Sequence, residues 1–141
     1  MDTMKEALAQ RDETLLKEMA MESLHRIIVH YGLWFSEVQH QMGLEKALEI
    51  EGAVWQQSLK IQLARLGKVF GFSVNDGIPS FMQSLGKDEL MDLLEKSSIN
   101  WLANDGIWFQ AVEQRCGMND AKRSNDSCWT RFSPFEAYRI K

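Results

Sequence analysis

Apolar residues recur at helical spacing in two long stretches of the chain. Ile27, Tyr31, Trp34 and Val38 make one stripe, and Trp101, Asp105, Trp108 and Val112 make a second with the same steps. Steps of three and four residues place side chains on one face of an α-helix. Thr14 and Asp88 stand ahead of these stripes and are residue types suited to the N-cap. Gly43 and Gly117 follow them, where a helix end favours a residue that tolerates positive φ. A second helix is predicted from about Leu44 to Phe70, a proline-free run. Near the end of the chain, Ser133-Pro134-Phe135-Glu136 reads as a new helix start, with Ser133 as N-cap, Pro134 in the first position and Glu136 closing a capping box. This predicts a shorter helix, a loop and a final helix of about eight residues. Such a short helix has little stability of its own, so it is expected to dock firmly or to continue beyond Lys141.

The two stretches are related. An offset of 74 residues carries Gly32, Trp34, Phe35 and Val38 onto Gly106, Trp108, Phe109 and Val112. It also carries Gly43 onto Gly117, Ala47 onto Ala121 and Trp55 onto Trp129, with Leu16/Leu90, Ser23/Ser97 and Arg65/Arg139 further out. These ten identities, without a gap, relate residues 14–67 to residues 88–141. A shared Gly-x-Trp-Phe core with another tryptophan in register marks two diverged copies of one helical unit. Residues 68–87 form the linker, with a turn signal at Asn75-Asp76-Gly77. Its Phe70, Phe72, Val74, Ile78, Phe81 and Met82 are too apolar for a floating tether, so a short extended piece and a short helix are expected. The expected architecture is all-α: a single domain, residues 1–141, forming a bundle of about four main helices with pseudo-two-fold symmetry.

Composition narrows the class. A chain of 141 residues with 45% hydrophobic content and five tryptophans can bury a core and is no disordered segment. Two cysteines, Cys116 and Cys128, make no disulfide framework and suit a reducing cytoplasm. The polar stretch Met1 to Glu13 is no signal peptide, and no run approaches the roughly 18 apolar residues of a membrane span. The net charge of −4 is uneven: residues 121–141 carry +3 and the other 120 carry −7. An acidic balance argues against nucleic acid as partner, while the small basic end suits one anionic ligand.

Polar residues interrupt the apolar pattern in two places. Asn104 and Asp105 lie three or four residues from both Trp101 and Trp108, and so face the tryptophan side of the helix. Burying an amide and a carboxylate there costs several kcal/mol, on the order of the usual desolvation figures, unless they find partners. The same slots in the first copy hold His30 and Tyr31, and Gly32 and Gly106 are expected to let helices approach closely at this level. Two readings stand side by side: a satisfied polar layer of structural purpose, or a ligand or proton-transfer site. The second place is Ser124 to Pro134, which combines Asn125, Asp126, Cys128 and Arg131 within eleven residues. The matching positions of the first copy are plain helix, with Glu51 opposite Asn125 and Val54 opposite Cys128. Cys128 is a nucleophile only if its thiol is activated; otherwise a cysteine beside a tryptophan is a small core residue.

Metal chemistry has less support. Glu22-x-x-His25 and Glu37-x-x-His40 share the spacing of di-iron bundles, but both lie on one helix, where the two motifs cannot face each other. A single metal held by His30 or His40 lacks any supporting His or Cys spacing, so no metal site is assigned and no cofactor is named. Phosphate-binding glycine loops, dinucleotide fingerprints and the serine-hydrolase elbow are also missing.

The run Asn100-Trp101-Leu102-Ala103-Asn104-Asp105-Gly106-Ile107-Trp108-Phe109-Gln110, followed by Asn125-Asp126-Ser127-Cys128-Trp129-Thr130-Arg131-Phe132-Ser133-Pro134-Phe135-Glu136-Ala137, resembles a family of small helical prokaryotic cytosolic proteins with no assigned activity. His30-Tyr31-Gly32-Leu33-Trp34-Phe35 fits the same family, so the likeness spans most of the chain. In general layout it is distantly similar to helical proteins grouped with L-2-amino-thiazoline-4-carboxylate hydrolase, which implies hydrolysis of a C–N or C–S bond.

The expected function is therefore binding of a small molecule, anionic in character, in a pocket lined by tryptophan and by His30, Tyr31, Asn104, Trp108, Asn125 and Arg131. Arg131 or Arg123 would hold the anion. In an enzyme Asp105 or Asp126 would act as base and Cys128 as nucleophile. The rival class is a non-catalytic homo-oligomer or interaction protein whose aromatic faces form helix–helix interfaces.

Overall fold

The computed structural model describes Glu6 and residues 8–139. The elements run α1 (Glu13–Met42), α2 (Leu44–Phe70), β1 (Val74–Asn75), β2 (Ile78–Pro79), α3 (Ser80–Gln83), α4 (Lys87–Cys116) and α5 (Met118–Arg139). The four long helices form two helical hairpins, and the repeat is exact in length: the 74-residue offset carries both ends of α1 onto both ends of α4. Each of these helices has 30 residues.

The glycine between the helices of each hairpin adopts nearly the same conformation twice, with φ 87 and ψ 163 at Gly43 and φ 91 and ψ 166 at Gly117. This region is open essentially to glycine alone, and it differs from the left-handed helical cap that the sequence suggests. Each glycine N–H donates back to the ending helix, Gly43 to the Gln39 carbonyl and Gly117 to that of Glu113. Each glycine carbonyl then accepts from the next helix, from Ala47 and Ala121 at 3.1 Å in both cases. One residue thus ends one helix and opens the following one. Ala47 and Ala121 are both only 1% exposed, which fits their conservation between the copies at the first turn after the bend.

The helix starts lie two residues earlier than Thr14 and Asp88. Asp12 holds an extended backbone and its carboxylate accepts from the Leu15 N–H at 3.0 Å. The equivalent residue of the second copy is Gly86, also extended. Glycine has no side chain to cap with, and here the Glu89 carboxylate reaches back to accept the Gly86 N–H at 2.8 Å. Thr14 and Asp88 therefore sit inside the first turn.

The linker has the expected extended piece and short helix. Asp76 and Gly77 both take positive φ, 50 and 81, the requirement of a two-residue hairpin turn whose twist matches the strands. Val74 pairs with Pro79 and Asn75 with Ile78. Phe72 meets Phe81 edge-on at 5.2 Å, and the chain folds back so closely over the end of α2 that only a glycine fits at position 67. A Cβ there would lie 2.3 Å from the Phe72 carbonyl oxygen.

The predicted break before Pro134 is absent. Helix α5 runs through Ser133 and Pro134 without interruption, so Ser133 caps nothing. The missing proline N–H removes one helical bond, a cost of about 3 kcal/mol in an ordinary helix interior. Aromatic packing on both sides of the proline offsets it. Trp101 stacks on Phe132 at 5.5 Å and meets Trp129 edge-on at 5.4 Å. Phe132 continues to Phe135 at 5.7 Å, and the Arg139 guanidinium lies over the Phe135 ring at 5.8 Å. The cluster ties the residues on each side of Pro134 to one framework.

Two compact units divide the chain, Met1–Glu51 and Gly52–Lys141. The first contains α1 and the opening turns of α2; the second contains the rest of α2, the linker, α4 and α5. Within its own unit, neither Gly32 nor Gly106 has a heavy atom from beyond its own stretch of helix within 4 Å of the place a Cβ would occupy. Neither α1 nor α4 contributes a fully buried residue.

Candidate functional site

Each hairpin carries a polar bridge between its helices, at the same place in the repeat. In the first unit the Tyr31 hydroxyl donates to the Glu51 carboxylate at 2.8 Å. Glu51 is 8% exposed, so this donor satisfies a carboxylate that burial would otherwise penalise. In the second hairpin Asn125 occupies the place of Glu51 and Asp105 that of Tyr31. The Asn125 amide donates to Asp105 Oδ1 at 3.4 Å. The carboxylate has changed helices, the phenol has gone, and the bond has stretched to the weak end of the hydrogen-bonding range.

A cavity of about 290 Å³ lies at this bridge between α4 and α5. Four of its lining residues, Trp108, Phe109, Val112 and Ala121, are identical in the first copy, as Trp34, Phe35, Val38 and Ala47. The other five, Asn104, Asp105, Ser124, Asn125 and Cys128, replace His30, Tyr31, Ile50, Glu51 and Val54. All five replacements are smaller than the residues they match, and each brings a polar or thiol group. Smaller side chains thus surround a kept apolar frame, and two of the five positions change from apolar to a hydroxyl or thiol.

The structure thus gathers Asn104, Asp105, Trp108, Asn125 and Cys128 from the sequence-derived candidates around one space. Ser124, which opens the polar stretch singled out in the sequence and faces an isoleucine in the first copy, lines it as well. Others lie apart. Asp126 and Arg131 are exposed and do not line the cavity. The Arg123 guanidinium donates to the Asp120 carboxylate on the same helix. The lining contains no lysine, arginine or histidine, so neither arginine expected to hold an anion lies on its wall. His30 and Tyr31 belong to the first unit, where His30 meets Trp34 edge-on at 6.3 Å and Tyr31 bonds Glu51. Trp101, expected beside Asn104 and Asp105, instead joins the aromatic cluster with Trp129 and Phe132.

His25 Nδ1 lies 3.3 Å from the Glu22 carboxylate on an exposed face of α1, an ordinary solvated helix pair. Among the described residues no three His, Cys, Asp or Glu side chains gather as metal ligands would. No helix among the described residues is long and apolar enough to cross a membrane.

A single family model matches the chain in two segments, residues 8–87 and 83–141. The chain belongs to DUF6125, a family of unknown function. The DUF6125 segments meet at the end of the linker, where the 74-residue repeat also divides. No curated protein and no solved structure matches this DUF6125 chain.

Proposed function

We propose that the protein binds a small polar molecule in the cavity between α4 and α5. One observation carries this reading: at the five cavity positions where the two copies differ, the second copy holds a smaller side chain, and polar Ser124 and the Cys128 thiol replace apolar Ile50 and Val54, while the apolar frame is kept. Polar groups placed where packing residues would serve stability better are characteristic of sites kept for function. The cavity is at the small end of the range for ligand pockets, which favours a ligand of few atoms. Asp105 and Cys128 share the wall, so a hydrolytic reaction of the kind the thiazoline-carboxylate likeness implies would use Asp105 as base and Cys128 as nucleophile.

Restoring the first-copy residue tests this. Ser124→Ile adds apolar volume at the cavity wall and, at an exposed position, is expected to change stability by less than about 0.5 kcal/mol. A fragment library screened by amide-shift NMR should give hits whose shifts map to Asn104–Val112 and Ala121–Cys128 in the wild type and vanish in the variant. Hits that map elsewhere, or persist unchanged in Ser124→Ile, would remove the cavity from consideration.

A second reading, self-association, draws on the long helices. Trp34 is 61% exposed and Trp108 67%, with Ile28, Leu33, Leu94 and Ile107 also exposed. Large apolar side chains grouped along a helix mark surfaces that bind other surfaces. Light scattering across a concentration series should show a mass above the 16.3 kDa of one chain; a strict monomer at every concentration would discard the idea.

A further inference from the structure

We infer that the α4–α5 cavity selects a small organic cation, with an ammonium or amidinium head at the Asp105 carboxylate and an apolar body against Trp108, Phe109 and Val112; this rests on the binding role proposed above. The wall holds a single carboxylate and no cationic side chain. In the first hairpin the equivalent bridge is closed, because a phenolic O–H donates to the buried Glu51 at 2.8 Å. In the second, half-buried Asp105 receives one long bond at 3.4 Å from a neutral amide. An ionised carboxylate has about four acceptor positions, so most of its capacity remains for a donor entering the cavity. A charged donor answers it best, since hydrogen bonds with an ionised partner are shorter and stronger than neutral ones.

The rest of the wall agrees. Asn104, Asn125 and Ser124 offer amide and hydroxyl oxygens that accept from further N–H groups. Trp108 and Phe109 bring to the wall aromatic rings of the kind that attract cations and apolar surface for an alkyl or aryl body. An anionic head group would meet the Asp105 charge with no cation on the wall to offset it.

The test uses the full chain and three probes of equal length: n-pentylammonium, pentanamide and pentanoate. NMR titration should show pentylammonium binding tightest, by roughly ten-fold over pentanoate, as expected for one charge-assisted hydrogen bond. Its shifts should fall on Asn104–Val112 and Ala121–Cys128. Asp105→Asn, nearly the same in shape, should bring the three probes to similar affinity. Asn125→Asp adds a second carboxylate to the same wall and should strengthen pentylammonium binding, which keeps the inference testable should Asp105→Asn fold poorly. Pentanoate or pentanamide binding first at these residues overturns the cation preference and leaves the cavity as a site. Pentylammonium shifts that map elsewhere, or that survive Ser124→Ile, overturn both. Absence of binding by all three overturns the cation preference.

Discussion

Replacing Gly67 by alanine tests how tightly the linker closes on α2. In a helix interior, glycine to alanine ordinarily stabilises by about 0.5–1 kcal/mol, because alanine loses less conformational freedom on folding. At Gly67 the added methyl would lie 2.3 Å from the Phe72 carbonyl oxygen and 3.3 Å from the Phe72 ring. The obstacle is backbone, which cannot swing aside as a side-chain tip can. Relief requires the chain to lift away from the helix end, and the Phe72 N–H bond to the Gly67 carbonyl, 3.1 Å long, then weakens. Overpacking of this kind costs about 1–3 kcal/mol, so the net effect should be a loss of about 1–2 kcal/mol after the helical gain is counted. Gly106 provides the control within the same unit, since nothing lies within 4 Å of its added methyl. Gly106→Ala should therefore stabilise by about 0.5–1 kcal/mol. Urea unfolding followed by far-UV circular dichroism should separate the two variants by about 2 kcal/mol, the sum of these effects. Equal stability of the two would refute the close approach at Phe72.

Two further substitutions probe the helix ends. Pro134→Ala restores the helical N–H and should raise stability by about 1–3 kcal/mol, seen as a higher melting temperature; a decrease would mean that Pro134 starts a separate helix. Asp12→Ala should cost about 1 kcal/mol and accelerate hydrogen exchange at the Leu15 amide, and unchanged exchange there would show that Asp12 does not cap α1.

Much of the architecture was legible because it is periodic. The helices that carry the stripes through Trp34 and Trp108, the helix ends at Gly43 and Gly117, the extent of α2 and the turn at Asn75-Asp76-Gly77 all follow from local chemistry, and the structure has each of them. The errors share a cause. Ser133-Pro134 carries every local sign of a helix start, yet the contacts that decide the matter come from Trp101, about 30 residues away in sequence. Thr14 and Asp88 are good caps by type, but caps are chosen by where the backbone turns extended, which is at Asp12 and Gly86.

The site was legible in a different way. Asn104 and Asp105 were visible as polar residues on an apolar face, and Asn125 and Cys128 as departures from Glu51 and Val54. Their convergence on one cavity depends on the hairpin geometry that the bend at Gly117 sets. Arg131 illustrates the limit, because its charge suggested an anion site while its position on α5 keeps it off the cavity wall. Charge can be read from residue type; direction requires the fold.

The paired bridges Tyr31–Glu51 and Asp105–Asn125 each join residues 20 apart in the chain. Closing so short a loop costs little chain entropy, and proteins rich in such local contacts fold quickly. During synthesis residue 51 leaves the ribosome before residues 105 and 125 do, so the Tyr31–Glu51 bridge can close ahead of its counterpart. The duplication therefore orders assembly in time, the bridge of the first copy becoming available before that of the half that carries the proposed binding site.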